Sequence, residues 1–233
     1  SAMDTRPSLS RRPPRRFWGW GLASDVLSPR EQATVKAMLA HIDARFEDRT
    51  APQAGEFVLR APRIAPPQAL AAQFSAAPLD RLNHCAGKSY ADCARMWLRT
   101  PPSPPDWVAF PDDEQAVIDT LDWAQAHDVA VIPYGGGSSV CGGVEADVGP
   151  GYAAAVSLDL ERLNRVLEVD PTSRAARIQA GALGPELEAQ LKPYGLTLRQ
   201  VFEALADNNA TFGGGFIEHR SERYTVRGIG LAQ

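Results

Sequence analysis

Beyond residue 106, short apolar runs alternate with amphipathic stretches, a pattern typical of alternating strands and helices. Apolar runs at residues 107–110 and 129–133 predict two strands. The stretch between them predicts a helix that ends near His127, with a buried stripe made of Val117, Ile118, Leu121 and Ala124. Asp112 and Gln115 have the spacing of an N-terminal capping pair for this helix. Together these elements predict a β-α-β unit.

Further apolar runs follow this unit. They predict three strands, at residues 153–158, 165–169 and 174–180. Residues 170–173 have turn chemistry, so the last two strands are expected to form a hairpin. Pro185 near its start and Gly195 past its end bound a predicted helix over residues 184–194.

The first hundred residues predict helices. Ser28 and Pro29 indicate the start of a helix over residues 28–46, which is expected to bury one face made of Val35, Leu39, Ile42 and Phe46. A short helix is predicted at residues 69–74. A longer helical stretch at residues 79–98, interrupted near Gly87, has an apolar face made of Leu82, Cys85, Ala86, Tyr90, Cys93 and Trp97.

Four prolines within residues 101–105 predict a stiff linker and a domain boundary. The predicted organisation has four parts: a flexible arm at residues 1–16, a helical region at 17–100, the linker at 101–105, and a second domain at 106–233. Ser1 and Ala2 resemble the remainder of a removed purification tag.

Composition excludes several classes of function. The chain has 233 residues, 44% of them hydrophobic, and a net charge of -4, which argues against a general nucleic-acid surface. A transmembrane segment and a secretory signal are not predicted, because no apolar run is long enough, and a cytoplasmic location is expected. A metal site is not predicted either, since metal-ligand spacing is absent from the three cysteines and four histidines, Cys85, Cys93, Cys141, His41, His84, His127 and His219.

A glycine-rich loop at residues 133–143 follows the second predicted strand and carries five glycines in eleven residues. Without Cβ atoms, several backbone N–H groups can point at one anion, as a pyrophosphate site requires. The loop lacks the Lys-Ser or Lys-Thr of a P-loop and the spacing of a G-x-G-x-x-G motif. A tight connection between two elements is the structural alternative.

Several segments in this order resemble the FAD-binding domain of the vanillyl-alcohol-oxidase-like, FAD-linked oxidase superfamily. The matching segments are residues 105–111, 132–143, 157–164, 169–170 and 180–181. The resemblance implies an α+β fold with a mixed sheet, so that residues 106–233 would be part of an FAD-binding domain preceded by a helical region. It also implies non-covalent FAD, because Gly137 stands where related proteins with histidine-linked FAD carry the histidine of a Gly-Gly-His motif.

The segments at residues 17–21 and 84–95 resemble, more narrowly, the alkyldihydroxyacetonephosphate synthase family. That resemblance implies an FAD-dependent exchange of an acyl for an alkyl group in ether lipid synthesis, through an adduct at flavin N5. One alternative is an FAD-linked oxidase or dehydrogenase of a hydroxy acid or alcohol. Another is a truncated, non-catalytic flavin-binding module.

By the same resemblance, the pyrophosphate would lie against the glycine-rich loop and a later Ser-Thr-x-Gly-Gly-like segment, for which a plain turn is the alternative. The expected FAD-binding residues are Pro133, Tyr134, Gly135, Gly136, Gly137, Ser138, Ser139, Val140, Gly142, Gly143, Thr211, Gly213 and Gly214. His84, Lys88 and Arg95 would face either a phosphate-bearing substrate or solvent.

No catalytic residue is assigned, because the family's substrate-binding and catalytic segments would lie beyond Gln233. The chain is therefore expected to be an N-terminal fragment of a longer enzyme. Its expected partners are a small-molecule or lipid substrate and a second copy in a homodimer, and no nucleic acid.

Overall fold

The computed structural model describes residues 7–40, 42, 49–170, 172, 175–195 and 199, together with the backbone of two strands at residues 211–219 and 222–229. The chain forms two compact units, Ser1–Arg162 and Leu163–Gln233. The predicted boundary at residues 101–105 lies inside the first unit, because a strand that precedes the prolines pairs with a strand that follows them.

The first unit is built on a four-stranded mixed sheet. Its strands are β1 (Phe74–Ser75), β2 (Trp107–Ala109), β3 (Val129–Tyr134) and β4 (Ala154–Asp159), in the order β1-β2-β4-β3. β2 and β3 both run parallel to β4, whereas β1 is antiparallel to β2. Every residue of β4 is buried, as expected of a central strand with parallel neighbours on both sides. The predicted α+β class with a mixed sheet is confirmed.

Five helices accompany the strands in the described part of the chain: α1 (Pro29–Leu39), α2 (Pro78–Asn83), α3 (Tyr90–Trp97), α4 (Glu114–Ala126) and α5 (Gly184–Leu191). Short 3₁₀ segments cover Ala54–Glu56, Gln68–Gln73 and Lys192–Tyr194. The helix predicted at residues 69–74 is therefore a 3₁₀ segment that leads directly into β1.

Helix α4 completes the predicted β-α-β unit, but two details of the prediction were wrong. The N-cap is Asp113, whose carboxylate accepts the N–H of Ala116. Asp112 instead receives hydrogen bonds from arginine side chains far along the chain. The buried stripe is shifted toward Ala116 and Thr120, and about half of the side chain surface of Ile118 and Leu121 is exposed. The core beneath α4 contains the rings of Phe74, Trp107 and Trp123 in edge-to-face contacts.

Helix α1 begins as predicted, with a capping box between Ser28 and Glu31. The prediction of a buried face was wrong for the described residues, because α1 has no buried residue and Val35 is 42% exposed. Phe46 lies outside the described residues. The spacing of apolar residues along the sequence shows that one face of the helix is apolar, but it does not show whether other residues cover that face.

Helices α2 and α3 occupy the stretch predicted as one interrupted helix. Their apolar side chains pack around Phe17 and Phe57, whose rings are 5.5 Å apart. The expected face is partly wrong, because Tyr90 is 90% exposed. Tyr90 is the first residue of α3, and it does not take part in the packed face of the helix.

The second unit contains two hairpins. β5 (Val166–Asp170) and β6 (Ala175–Ile178) form the predicted antiparallel pair. Helix α5 follows, continues as the 3₁₀ turn Lys192–Tyr194 and ends at Gly195, whose φ of 69° is the left-handed cap expected there. β7 (Thr211–His219) and β8 (Glu222–Ile229) form the other hairpin.

Candidate functional site

The glycine-rich loop, residues 133–143, emerges from the carboxyl end of β3. Tyr134, the last residue of β3, pairs with Asp159 at the end of the parallel strand β4, and the N–H of Leu160 donates to the Tyr134 carbonyl at 3.1 Å. The loop therefore lies at the edge where parallel strands end, which is where ligands of α/β sheets commonly bind.

The loop presents backbone donors. Within the described residues, none of the N–H groups of residues 135–140 has a hydrogen-bond acceptor. A Cβ on Gly135 would meet no atom within 4 Å, so a ligand can approach the backbone closely here. Free N–H groups on an open stretch of backbone are suited to hold an anion by uncharged donors.

Tyr134 supports the loop from beneath. Its ring is buried and lies 4.0 Å from the His84 ring, its hydroxyl donates to the Asn83 carbonyl at 3.0 Å, and burial raises the pKa of its phenol. Gly137 crosses directly over this ring with a φ of 65°, and a Cβ there would lie 2.5 Å from the Tyr134 ring carbon and closer still to the hydroxyl oxygen. Only glycine fits at residue 137.

Ser139 fixes the second half of the loop. Its hydroxyl accepts the N–H of Gly143 at 3.2 Å and that of Cys141 at 3.5 Å, which closes the loop on itself. Its carbonyl accepts the N–H of Lys88 at 2.7 Å. Gly87 permits this contact, because a Cβ there would lie 2.9 Å from the Ser139 carbonyl carbon. The segment between α2 and α3 therefore anchors the loop.

The remaining predicted residues are distributed as follows. Pro133, Ser138, Val140, Gly142 and Gly143 are exposed, and Gly136 is partly buried. Thr211, Gly213 and Gly214 lie on strand β7 of the second unit, next to a register shift between Gly213 and Phe216, and not in a plain turn.

Two arginines that the sequence analysis assigned to a flexible arm contact the loop. Arg12 donates to the Gly135 carbonyl at 3.0 Å, and Arg15 donates to the Gly136 carbonyl at 2.5 Å. The Arg12 guanidinium also lies 4.0 Å from a carboxylate oxygen of Asp159. The sequence contained a signal, four arginines within residues 11–16, but it did not indicate their partners.

The rest of the arm lies over a small cavity of about 110 Å³. The Asp80 carboxylate accepts the Ser8 hydroxyl and the N–H of Leu9, and the Glu161 carboxylate accepts the Ser10 hydroxyl at 2.7 Å and the N–H of Arg11 at 2.6 Å. In the described residues 7–16 the arm thus has specific partners, which a solvated arm would not need.

His84 lies in this buried network. Its Nδ1 is 2.7 Å from the Asp80 carbonyl and its Nε2 is 2.9 Å from the Asp159 carboxylate. Both neighbours of the ring are hydrogen-bond acceptors. His84 holds α2 against the end of β4.

Lys88 and Arg95 have structural partners as well. Lys88 Nζ donates to the Arg16 carbonyl at 2.8 Å and the Phe17 carbonyl at 3.2 Å, and burial lowers the pKa of its ammonium group. Arg95 donates to Glu145, just beyond the loop, at 2.6 Å. Both side chains therefore have partners within the protein, and the Arg95 side chain is also 36% exposed.

The described residues contain no group of three His, Cys, Asp or Glu side chains placed to hold a metal ion. None of the helices described is long and apolar enough to cross a membrane.

Comparison with known proteins identifies a family. The family model described as FAD binding domain matches residues 105–229. Alkyldihydroxyacetonephosphate synthase of Trypanosoma brucei brucei is 36% identical over 134 residues, which are 58% of this chain and 22% of that protein. A solved structure of an alkyldihydroxyacetonephosphate synthase has a TM-score of 0.67 and 27% identity, and the match covers 78% of this chain and 39% of that one.

Weaker matches involve other proteins. D-2-hydroxyglutarate dehydrogenase of Xanthomonas citri pv. viticola is 31% identical over 59% of this chain and 29% of that protein. The cobalt-zinc-cadmium resistance protein CzcA of Cupriavidus metallidurans is 50% identical over 48 residues, 4% of its length. The chain spans about a quarter of the length of the curated synthases that it matches.

Proposed function

Because the chain belongs to the family of FAD-binding domains, we propose that its glycine-rich loop holds the pyrophosphate of FAD. The cofactor of this family is FAD. The observation that carries the proposal is the row of N–H groups at residues 135–140, which lack acceptors within the described residues and lie at the carboxyl edge of the sheet. In this proposal the whole loop and Thr211, Gly213 and Gly214 remain the cofactor-binding residues.

We propose that FAD is bound without a covalent bond. Residue 137, where a histidine linkage would be attached, leaves no room for any Cβ above the Tyr134 ring. Acid precipitation of the FAD-loaded protein should therefore release all the flavin into the supernatant. Flavin retained in the pellet would contradict this.

For the activity of the whole protein, we propose a flavoenzyme of the alkyldihydroxyacetonephosphate synthase type. The similarity to synthases in both sequence and structure supports this. When bound, FAD would supply the chemistry for the exchange of an acyl for an alkyl group on a lipid substrate. The loop would bind and orient the pyrophosphate, and catalytic residues are not assigned within this chain.

Oxidation of a hydroxy acid is the second candidate function. The similarity to D-2-hydroxyglutarate dehydrogenase favours it. The two activities differ in net redox change, so anaerobic addition of D-2-hydroxyglutarate to the whole protein should bleach the flavin absorbance only in a dehydrogenase. Incorporation of a labelled fatty alcohol into acyldihydroxyacetonephosphate should occur only in a synthase. Neither reaction would occur in a non-catalytic flavin-binding module.

We also propose that the protein forms a homodimer and is located in the cytoplasm.

The pyrophosphate site is tested with two matched glycine variants. In both Gly135→Ala and Gly151→Ala, the added methyl group meets no atom within 4 Å, so both variants should fold as the unaltered chain does. Titration with FAD, followed by flavin fluorescence, should show roughly tenfold weaker binding for Gly135→Ala, because the methyl group obstructs approach to the backbone. Gly151→Ala should bind normally. Equal affinities for the two variants would refute the assignment of this loop.

A further inference from the structure

The N-terminal arm contacts the glycine-rich loop on the side of its carbonyl groups. Arg12 donates to the Gly135 carbonyl at 3.0 Å and Arg15 to the Gly136 carbonyl at 2.5 Å. These carbonyls belong to two consecutive peptide groups, 135–136 and 136–137. In a planar trans peptide the C=O and the N–H point in opposite directions. The N–H groups of Gly136 and Gly137 are therefore directed away from the two guanidinium groups.

We propose that Arg12 and Arg15 are positioning residues of the cofactor site, which lock these two peptide groups with their N–H groups facing the pyrophosphate. The inference rests on the proposed function of the loop. Glycine permits a peptide group to rotate at little steric cost, and a rotated peptide would present a carbonyl oxygen to the anion. A charge-assisted hydrogen bond to each carbonyl opposes that rotation.

The arginines are themselves held in place. The Arg12 side chain is only 11% exposed and lies 4.0 Å from the carboxylates of both Asp159 and Glu161. Arg15 forms an isolated β-bridge with Leu22, which fixes the backbone from which its side chain extends. A contact made by chance between a flexible arm and the loop would not need supports of this kind.

The arm also accounts for the fixed conformation of residues 135 and 136, which the loop alone does not explain. Two consecutive glycines at residues 135 and 136 have no side chains with which to fix their own conformation. Gly137 is fixed by the Tyr134 ring beneath it. The arginines act on the part of the loop that this ring does not hold.

The test compares pyrophosphate-bearing and pyrophosphate-free ligands on the 233-residue chain. ADP carries the pyrophosphate and adenosine lacks it, and both are titrated by calorimetry. Arg12→Ala and Arg15→Ala should each weaken ADP binding by roughly tenfold and leave adenosine binding unchanged. Arg11→Ala is the matched control, because Arg11 is an exposed neighbour whose side chain pairs with Asp112, and the variant has the same change in charge. It should bind ADP normally.

A second readout does not require any ligand. In a spectrum of the chain labelled with ¹⁵N-glycine, the Gly136 and Gly137 amide resonances should broaden or shift in Arg15→Ala and stay unchanged in Arg11→Ala. If an alanine variant fails to fold, the lysine variants decide, since lysine keeps the charge and hydrogen-bond donors but loses the planar fork. Arg15→Lys should then bind ADP more weakly than the unaltered chain does and bind adenosine equally well.

The outcomes separate the two proposals. If the unaltered chain binds neither ADP nor FAD, the proposed function fails and the inference fails with it. If the unaltered chain binds ADP and the variants at Arg12 and Arg15 bind as Arg11→Ala does, only the inference is overturned. Equal losses for ADP and adenosine would also overturn it, because they would indicate a general structural role.

Discussion

Replacement of Asp106 by alanine should strongly destabilise the first unit. Asp106 is completely buried at the start of β2, and its carboxylate joins three separate segments. It accepts the N–H of Ala155 on β4 at 2.8 Å and the N–H of Arg63 at 3.0 Å. The Arg63 side chain donates from Nε to both carboxylate oxygens at 3.2 Å and from a terminal nitrogen at 2.8 Å, and Arg60 approaches to 3.4 Å.

The magnitude follows from the groups that the variant leaves behind. Asp106→Ala deprives the buried N–H of Ala155 of its acceptor, and an unsatisfied buried group costs about 1–3 kcal/mol. The partly buried N–H of Arg63 also loses its acceptor, at a smaller cost. The Arg63 side chain is 39% exposed and can be rehydrated, so its loss of a partner adds little. The expected decrease in the free energy of unfolding is about 2–4 kcal/mol. Arg63→Ala keeps both backbone contacts and should cost only about 1 kcal/mol.

Urea unfolding at pH 7, followed by tryptophan fluorescence, measures both values. Trp107 is adjacent to Asp106 and reports directly on this part of the core. Asp122→Ala, on the exposed side of α4, is the control and should change stability by less than about 0.5 kcal/mol. A cost below about 1 kcal/mol for Asp106→Ala would refute the reasoning.

The effect should also depend on pH. Burial by itself would raise the pKa of Asp106, but hydrogen bonds from Arg63 and Ala155 outweigh it, so the folded-state pKa is lowered. A carboxyl group with a lowered folded-state pKa stabilises the fold above its unfolded-state pKa of about 4, and this stabilisation is lost as the pH falls through the folded-state pKa. The difference between the unaltered chain and Asp106→Ala should therefore shrink below about pH 4. A difference that stays constant down to pH 2 would contradict the assignment.

Three further predictions concern the support of the loop. Gly87→Ala should break the contact of this segment with the Ser139 carbonyl and cost about 2–4 kcal/mol in urea unfolding, and a cost near zero would be inconsistent with the close approach. Cys141 is exposed and its hydrogen bond with the Ser139 hydroxyl lowers its pKa, whereas burial raises the pKa of Cys85 to about 12, so iodoacetamide should label Cys141 first. Bound FAD should slow the labelling of Cys141, and a labelling rate unchanged by saturating FAD would argue against the proposed site. His84→Ala removes a ring held between two buried acceptors and should cost about 2–4 kcal/mol by the same assay, while a neutral result would exclude that support.

The β-α-β unit and the loop were predictable because their signals are local. An apolar run, a helical stripe and a cluster of glycines occur within about 35 consecutive residues, and each carries its own physical meaning. The hairpin of β5 and β6 was predictable for the same reason, since a turn sequence separates two apolar runs.

The errors arise where a distant residue decides between local alternatives. Asp112 and Asp113 are both acceptable N-caps, and Asp113 caps α4 while Asp112 receives Arg11 and Arg162. The apolar stripe of α1 could not reveal that this face is exposed. The arm at residues 7–16 looked solvated because its partners lie about 70 to 150 residues further along the chain.

Long-range contacts also explain how a glycine-rich loop is held in one conformation. Glycine allows close approach to the backbone, but it also gives the unbound loop many conformations, and ordering each residue costs about 1–2 kcal/mol. If binding had to order the loop, affinity would fall by that cost. In this chain the loop is ordered by contacts made on folding. Tyr134 fixes Gly137, Lys88 fixes Ser139, and the N-terminal arm fixes Gly135 and Gly136. In the proposed cofactor site, the region before β2 would therefore act as the scaffold of the loop, although it supplies none of the residues that the loop motif identifies.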